Sequence, residues 1–401
     1  MSFKTGHVDL SHTIFTVDDL QKAHDYLLQV ILQVDSSWII KSKGPLGKYW
    51  DSDSPYAACF LIDTAFVLNR FERRISPRSA PIFLPKVKGI LRPNSEKEFI
   101  ENLTEFQVGF VLTQYVSPLD VDPLVPEEFL LPLTSHRRPK TPDFAVQLPD
   151  DKVFFEVTVL HVQILEDWDK GVDDMTVALQ HHLRKQHKDL TVHLQFPLPF
   201  PGSTDQMTRR LLRRIDASVS GREIFSGGGE IRWEPLPVIT APDMSSVFSA
   251  FFNTSSPVAV FSTSGRSEGL GRAFAQQRNV ATMPEADRVE ANRRLFNSLR
   301  NTLNRKQEQL THAKPVLLVL RSGHRWLLED ELITKIQERI WPNPDYDWIT
   351  GIVLYTPRQG FSHSDTEHRL RLCPNPQAQC RASDSLMPLF NGTEQFHSSF
   401  D

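Results

Sequence analysis

Two short β-rich runs that meet at a turn constrain this chain more than any other feature. Residues 141–148 (TPDFAVQL) and 152–162 (KVFFEVTVLHV) are rich in Val and Phe, and Pro149-Asp150-Asp151 between them is a turn signal. The pattern predicts an antiparallel hairpin. With the turn centred between Asp150 and Asp151, Asp143 sits opposite Thr158 and Ala145 opposite Glu156, so Asp143 and Glu156 fall within about one rung of each other. Side chains alternate along a strand, so Phe154, Glu156 and Thr158 share one face and Phe155, Val157 and Val159 the other. A Glu among Phe and Val is costly unless something satisfies it. Two carboxylates meeting at one end of a hairpin offer oxygen ligands to a hard divalent cation, with positions left open for water and phosphate.

Strand-like and helix-like stretches alternate around this hairpin, which predicts a mixed α/β fold with a central sheet flanked by helices. Residues 1–90 read as a helical N-terminal region that could dock a protein partner, with an apolar stripe at Leu20, Ala23, Leu27, Val30 and Ile31. The basic, Pro-rich stretch 73–93 reads as a connection. Ser95 with Glu98 three residues on is a capping box, and Phe99, Leu103, Phe106 and Phe110 form the seam of the helix it opens. The expected organisation places a first core segment at 91–165 and an insertion or elaboration at 166–285. A second core segment follows at 286–360, and an irregular tail at 361–401.

Asp143 before one strand and Glu156 on the next resemble the PD-(D/E)xK nuclease superfamily, the restriction-endonuclease-like fold. The resemblance implies the order helix, strand, Asp strand, Glu strand, helix, strand. It implies that Asp143 and Glu156 bind Mg²⁺ or Mn²⁺ and that an acid from the first helix joins them. Leu103-Thr104-Glu105-Phe106 resembles the family's acidic helix, so Glu105 is the candidate and Glu101 the runner-up. The third motif position, Lys in the family, is Thr158 here. A migrated lysine on the later helix would then supply the missing charge. Lys306 in RKQEQL is the candidate, with Gln307 or Gln309 as polar partners. The implied activity is phosphodiester hydrolysis in DNA or, as the lesser expectation, RNA. The alternative is a nuclease-derived module that binds nucleic acid or protein without catalysis, which Thr158 favours.

The chain carries 45 Lys+Arg against 49 Asp+Glu, a net charge of −4. That excludes a globally basic binder but not local patches. Candidate phosphate contacts are Arg137, Arg138 and Lys140 in one loop, and Arg209, Arg210, Arg213 and Arg214 at helical spacing. The stretch 177–188, with His181, His182 and His187 among Lys and Arg, reads as a solvated helix, and 191–200, which holds His193, as a strand. The Gly-rich stretch 264–272 lacks the order of a phosphate loop and reads as a loop. His363, His368, Cys373 and Cys380 lack the spacing of a zinc knuckle. Three cysteines, no leader-like start and no apolar run near ~20 residues lead to the expectation of an intracellular protein, cytoplasmic or nuclear, with no membrane association.

Overall fold

The computed structural model describes residues 15–37, 45–50, 55–92, 95–125, 141–149, 151–186, 190–235, 259–263, 276–310, 312–322, 329–359 and 366–381, with 393–396 and the single residues 8, 10, 188, 384, 386 and 390. The fold is mixed α/β, with a central mixed sheet flanked by helices. The chain divides into two compact units. The first comprises 1–160, 300–322 and 329–401, and the second comprises 161–299 and 323–328. No helix among the described residues is long and apolar enough to cross a membrane.

Among the described residues the first unit begins with five helices: α1 (Val17–Asp35), α2 (Pro45–Trp50), α3 (Pro55–Glu72), α4 (Ala80–Leu91) and α5 (Glu96–Tyr115). Thr16 caps α1, exchanging hydrogen bonds with Asp19 on both sides of the capping box. Ser95 caps α5 by accepting from the Glu98 amide at 3.1 Å. Helix α4 corrects the expectation of a connection over 73–93. Phe83, Val87, Ile90 and Leu91 are all buried, a helical stripe that outweighs the missing amide of Pro85. These helices are not a separate domain, because their apolar faces join the core of the sheet.

That sheet has seven strands in the order β1-β2-β3-β9-β10-β11-β12. They are β1 (Asp120–Val121), β2 (Phe144–Gln147), β3 (Lys152–Leu160), β9 (Val316–Ser322), β10 (Gly351–Gln359), β11 (Thr366–Pro374) and β12 (Thr393–Phe396). The three central strands β3, β9 and β10 are parallel, and the outer pairings are antiparallel. Val316 to Leu320 is buried throughout, as a strand covered on both faces requires. The tail expected to be irregular from 361 instead supplies β11 and β12.

One face of this sheet packs against α3, α4 and α5 through an aromatic cluster. Phe71 meets Phe106 at 5.8 Å and Phe144 at 5.9 Å between centroids, both edge to face. Gly109 permits this approach. A Cβ there would lie 2.7 Å from the Phe71 ring and 2.9 Å from that of Phe144.

The second unit has its own five-stranded sheet, ordered β5-β6-β4-β8-β7. Its strands are β4 (Leu190–Gln195), β5 (Gly221–Ile224), β6 (Glu230–Pro235), β7 (Ala259–Thr263) and β8 (Gln276–Thr282). Along β4 the buried Leu190, Val192 and Leu194 alternate with more exposed residues, the pattern of a sheet covered on one face. Helices α6 (Gln163–Lys185) and α7 (Thr204–Ala217) belong here. Helix α8 (Glu285–Gln307) begins in this unit, and its residues from Arg300 belong to the first. Helix α9 (Glu329–Arg339) lies in the first unit, between β9 and β10 in sequence.

Candidate metal centre

The hairpin forms with a register two residues from the expected one. Phe144 pairs with Phe155 and Gln147 with Lys152, so the turn centres one residue earlier. Continuing that register sets Asp143, just before β2, opposite Glu156. A two-residue shift leaves every side chain on its expected face. Asp143 is 8% exposed, and its Oδ2 accepts from the Val157 amide at 2.7 Å. Its carbonyl accepts from the Asp122 amide at 3.0 Å. Asp122 holds φ at 43°, a left-handed conformation that Asp tolerates better than most residues.

Three carboxylates converge here. Glu105 comes from α5, Asp122 from the turn after β1, and Asp143 from the approach to β2. One oxygen of each lies within 4.8 Å of the others. The sequence pointed to Glu105 and Asp143 but not to Asp122. It also missed Lys86 of α4, whose ammonium contacts the Glu105 carboxylate and lies 2.9 Å from Asp122 Oδ1. Burial pushes Glu105 up to about 7, reinforced by the Asp143 charge and opposed by Lys86. Burial alone would lower Lys86, but the charges of Glu105 and Asp143 overcome it and raise the ammonium's pKa.

Glu156 does not join this group. It is fully buried, and its carboxylate contacts the ammonium of Lys306, itself 5% exposed. Lys306 and Gln309 line one cleft with Glu101, Glu105, Asp143 and Thr158, with a volume of about 420 Å³. Gln307 turns elsewhere and donates to the Asp345 carbonyl at 2.8 Å. Oxygen donors of this kind suit Mg²⁺ or Mn²⁺. Glu105, Asp122 and Asp143 are the residues that could hold such an ion, and Lys86 would have to yield its contacts to it.

The other candidates are dispersed. Arg137, Arg138 and Lys140 lie outside the described residues, as do His363 and the loop 264–272. In the second unit, Arg210 and Arg214 both pair with the buried Glu223, and Arg210 also lies 5.7 Å from the Phe225 ring. Arg213 donates to the Arg209 carbonyl at 3.2 Å. Half of this stripe is therefore committed to an internal acid. His368 is buried and hydrogen-bonded to Tyr355, and no group of potential metal ligands among the described residues includes it, Cys373 or Cys380. The chain matches no protein-family model, no curated protein and no solved structure.

Proposed function

We propose that this chain is a divalent-metal-dependent phosphodiesterase of the PD-(D/E)xK type acting on nucleic acid, DNA favoured over RNA. The observation that carries the reading is the convergence of Glu105 and Asp143, 38 positions apart in sequence, within 4.8 Å beside the cleft that Lys306 and Thr158 also line. The element order supports it. Helix α5, three antiparallel strands, helix α8 and a strand parallel to β3 follow the order implied by the family resemblance, with 161–284 inserted between β3 and α8.

A divalent ion held by Glu105, Asp122 and Asp143 would acidify a bound water and offset charge on the scissile phosphate. The chain's own groups supply the rest. The Val157 amide fixes the orientation of the Asp143 carboxylate. Lys306, positioned by Glu156, brings a fixed positive charge to the cleft wall where negative charge grows in the transition state. Thr158 adds a hydroxyl that can orient water but carries no charge. The test is a cleavage assay on single- and double-stranded DNA and RNA with Mg²⁺ or Mn²⁺. Asp143→Asn and Glu105→Gln should abolish cleavage, and Lys306→Met should slow it strongly. Equal background in wild type and variants would sink the reading.

One observation favours a second reading, a binding module without catalysis. Lys86 already contacts Glu105 and Asp122, so the acidic group is partly neutralised without any metal. Calorimetric titration with Mn²⁺ separates the two readings, because a module of this kind would show no Asp143-dependent binding.

A further inference from the structure

Arg321 is a cation that the chemistry above leaves unused. It stands at the carboxyl end of β9, in register beside Val159 of β3 and Tyr355 of β10. Its Nη1 donates to Thr104 Oγ1 at 2.6 Å and to Gln107 Oε1 at 3.2 Å. The Tyr355 hydroxyl donates to the same Gln107 oxygen at 3.3 Å and shares a 2.7 Å hydrogen bond with His368 Nδ1. Burial, and then the Arg321 charge, push His368 down to about 3, so the imidazole is neutral at ordinary pH.

The two groups that accept from this guanidinium, Thr104 and Gln107, are uncharged, while the Asp63 carboxylate acts on the neighbouring Tyr355. Among the described residues no carboxylate pairs with Arg321, and its Nε is shielded from water without a hydrogen-bond partner. Shielded cations in proteins are ordinarily paired. Nε and Nη2 are uncommitted, and a side-chain shift that uncovers the shielded Nε would complete the fork that takes an oxyanion through two parallel hydrogen bonds.

The position suits such a ligand. Val159, the ladder partner of Arg321, lines the cleft, as do Glu101 and Glu105 on either side of its acceptor Thr104. Ligands of open α/β sheets bind outside the carboxyl ends of the strands. We propose that Arg321 is an anion-binding residue behind the Val159 and Glu105 wall of this cleft, taking a phosphate of the nucleic-acid backbone. The identity of that phosphate rests on the phosphodiesterase reading, whereas the anion site does not.

Two measurements on the full chain test this, with Arg321→Gln, Arg321→Lys and Asp143→Asn beside wild type. Thermal unfolding is followed with and without inorganic phosphate. Binding of fluorescein-labelled DNA is followed by anisotropy in Ca²⁺ across a salt series. Phosphate should stabilise wild type and Asp143→Asn, fail to stabilise Arg321→Gln, and act weakly on Arg321→Lys. DNA binding should weaken about tenfold in Arg321→Gln, with the salt slope reduced by about one. Because Arg321→Lys keeps the charge, it tests the fork even if Arg321→Gln folds poorly. Equal stabilisation of wild type and Arg321→Gln by phosphate, or of neither, overturns the anion site. An Arg321-dependent phosphate effect without DNA binding overturns the backbone assignment. Asp143-dependent cleavage with unaltered DNA and phosphate binding in Arg321→Gln removes the anion site and leaves the phosphodiesterase reading standing. The reverse pattern removes the phosphodiesterase and keeps the anion site.

Discussion

Lys306 rests its ammonium on the carboxylate of Glu156, and both groups are buried: Glu156 is 0% exposed and Lys306 5%. Removing one partner of a buried pair strands the other charge, at a cost of about 3–5 kcal/mol. Glu156→Gln and Lys306→Met should each lower unfolding stability by that order in urea titrations. Glu156→Leu combined with Lys306→Met should recover most of the loss, because no charge then remains inside. Single-variant losses below about 1 kcal/mol would show that the pair is hydrated, as exposed pairs are.

The parts of this site legible in the sequence are those fixed by local chemistry. The turn at 149–151 announced the hairpin that carries Asp143, and Ser95 with Glu98 announced α5, but Glu105 on that helix was named only through the resemblance to the family's acidic helix. The register escaped because Leu148 bonds across the turn to the Asp151 carbonyl, moving the centre one residue back. Lys86 escaped because two features of 73–93, its prolines and its charge, outweighed the stripe of Phe83, Val87, Ile90 and Leu91. Asp122 escaped because nothing local marks a turn acid as a ligand. Strands β5, β8 and β11 are polar in composition and become strands through their ladders, a tertiary effect.

Lys86 and a metal ion compete for the same carboxylates. Mn²⁺ should stabilise the wild type, by about 2.7 kcal/mol at a hundredfold excess over Kd. Lys86→Met should be less stable without metal and bind Mn²⁺ more tightly, since the acids lose their resident cation. Asp143→Asn should bind weakly with or without Lys86. Calorimetry on the three proteins checks the order, and weaker Mn²⁺ binding in Lys86→Met would count against the competition.

Gly109 ties stability to the site. A methyl group there displaces Phe71 and Phe144, and Phe144 is the neighbour of Asp143. Overpacking of this kind typically costs about 1–3 kcal/mol. Gly109→Ala should therefore melt earlier and bind Mn²⁺ less tightly. Val108→Ala, one position along α5, removes buried volume without adding any, and should lose stability with metal affinity retained. Equal metal affinity in both variants would show that Asp143 is held independently of the aromatic cluster.

The acid with the displaced pKa sets the pH response. Glu105 is raised from its ordinary value of 4.5 to about 7, so the folded chain keeps a proton that the unfolded chain releases. Between those values the native state binds more protons, and stability falls as pH rises, by at most about 3 kcal/mol in all. Above about 7 this contribution is flat. Metal binding runs the other way, because the ion needs the carboxylate, so Mn²⁺ affinity should climb through neutral pH. Glu105→Gln removes the titrating group while keeping its shape. The wild-type minus Glu105→Gln difference in unfolding free energy, measured in chelator from pH 4 to 8, should therefore decline across the window and then level. A difference that rises with pH would mean that Lys86 holds Glu105 ionised.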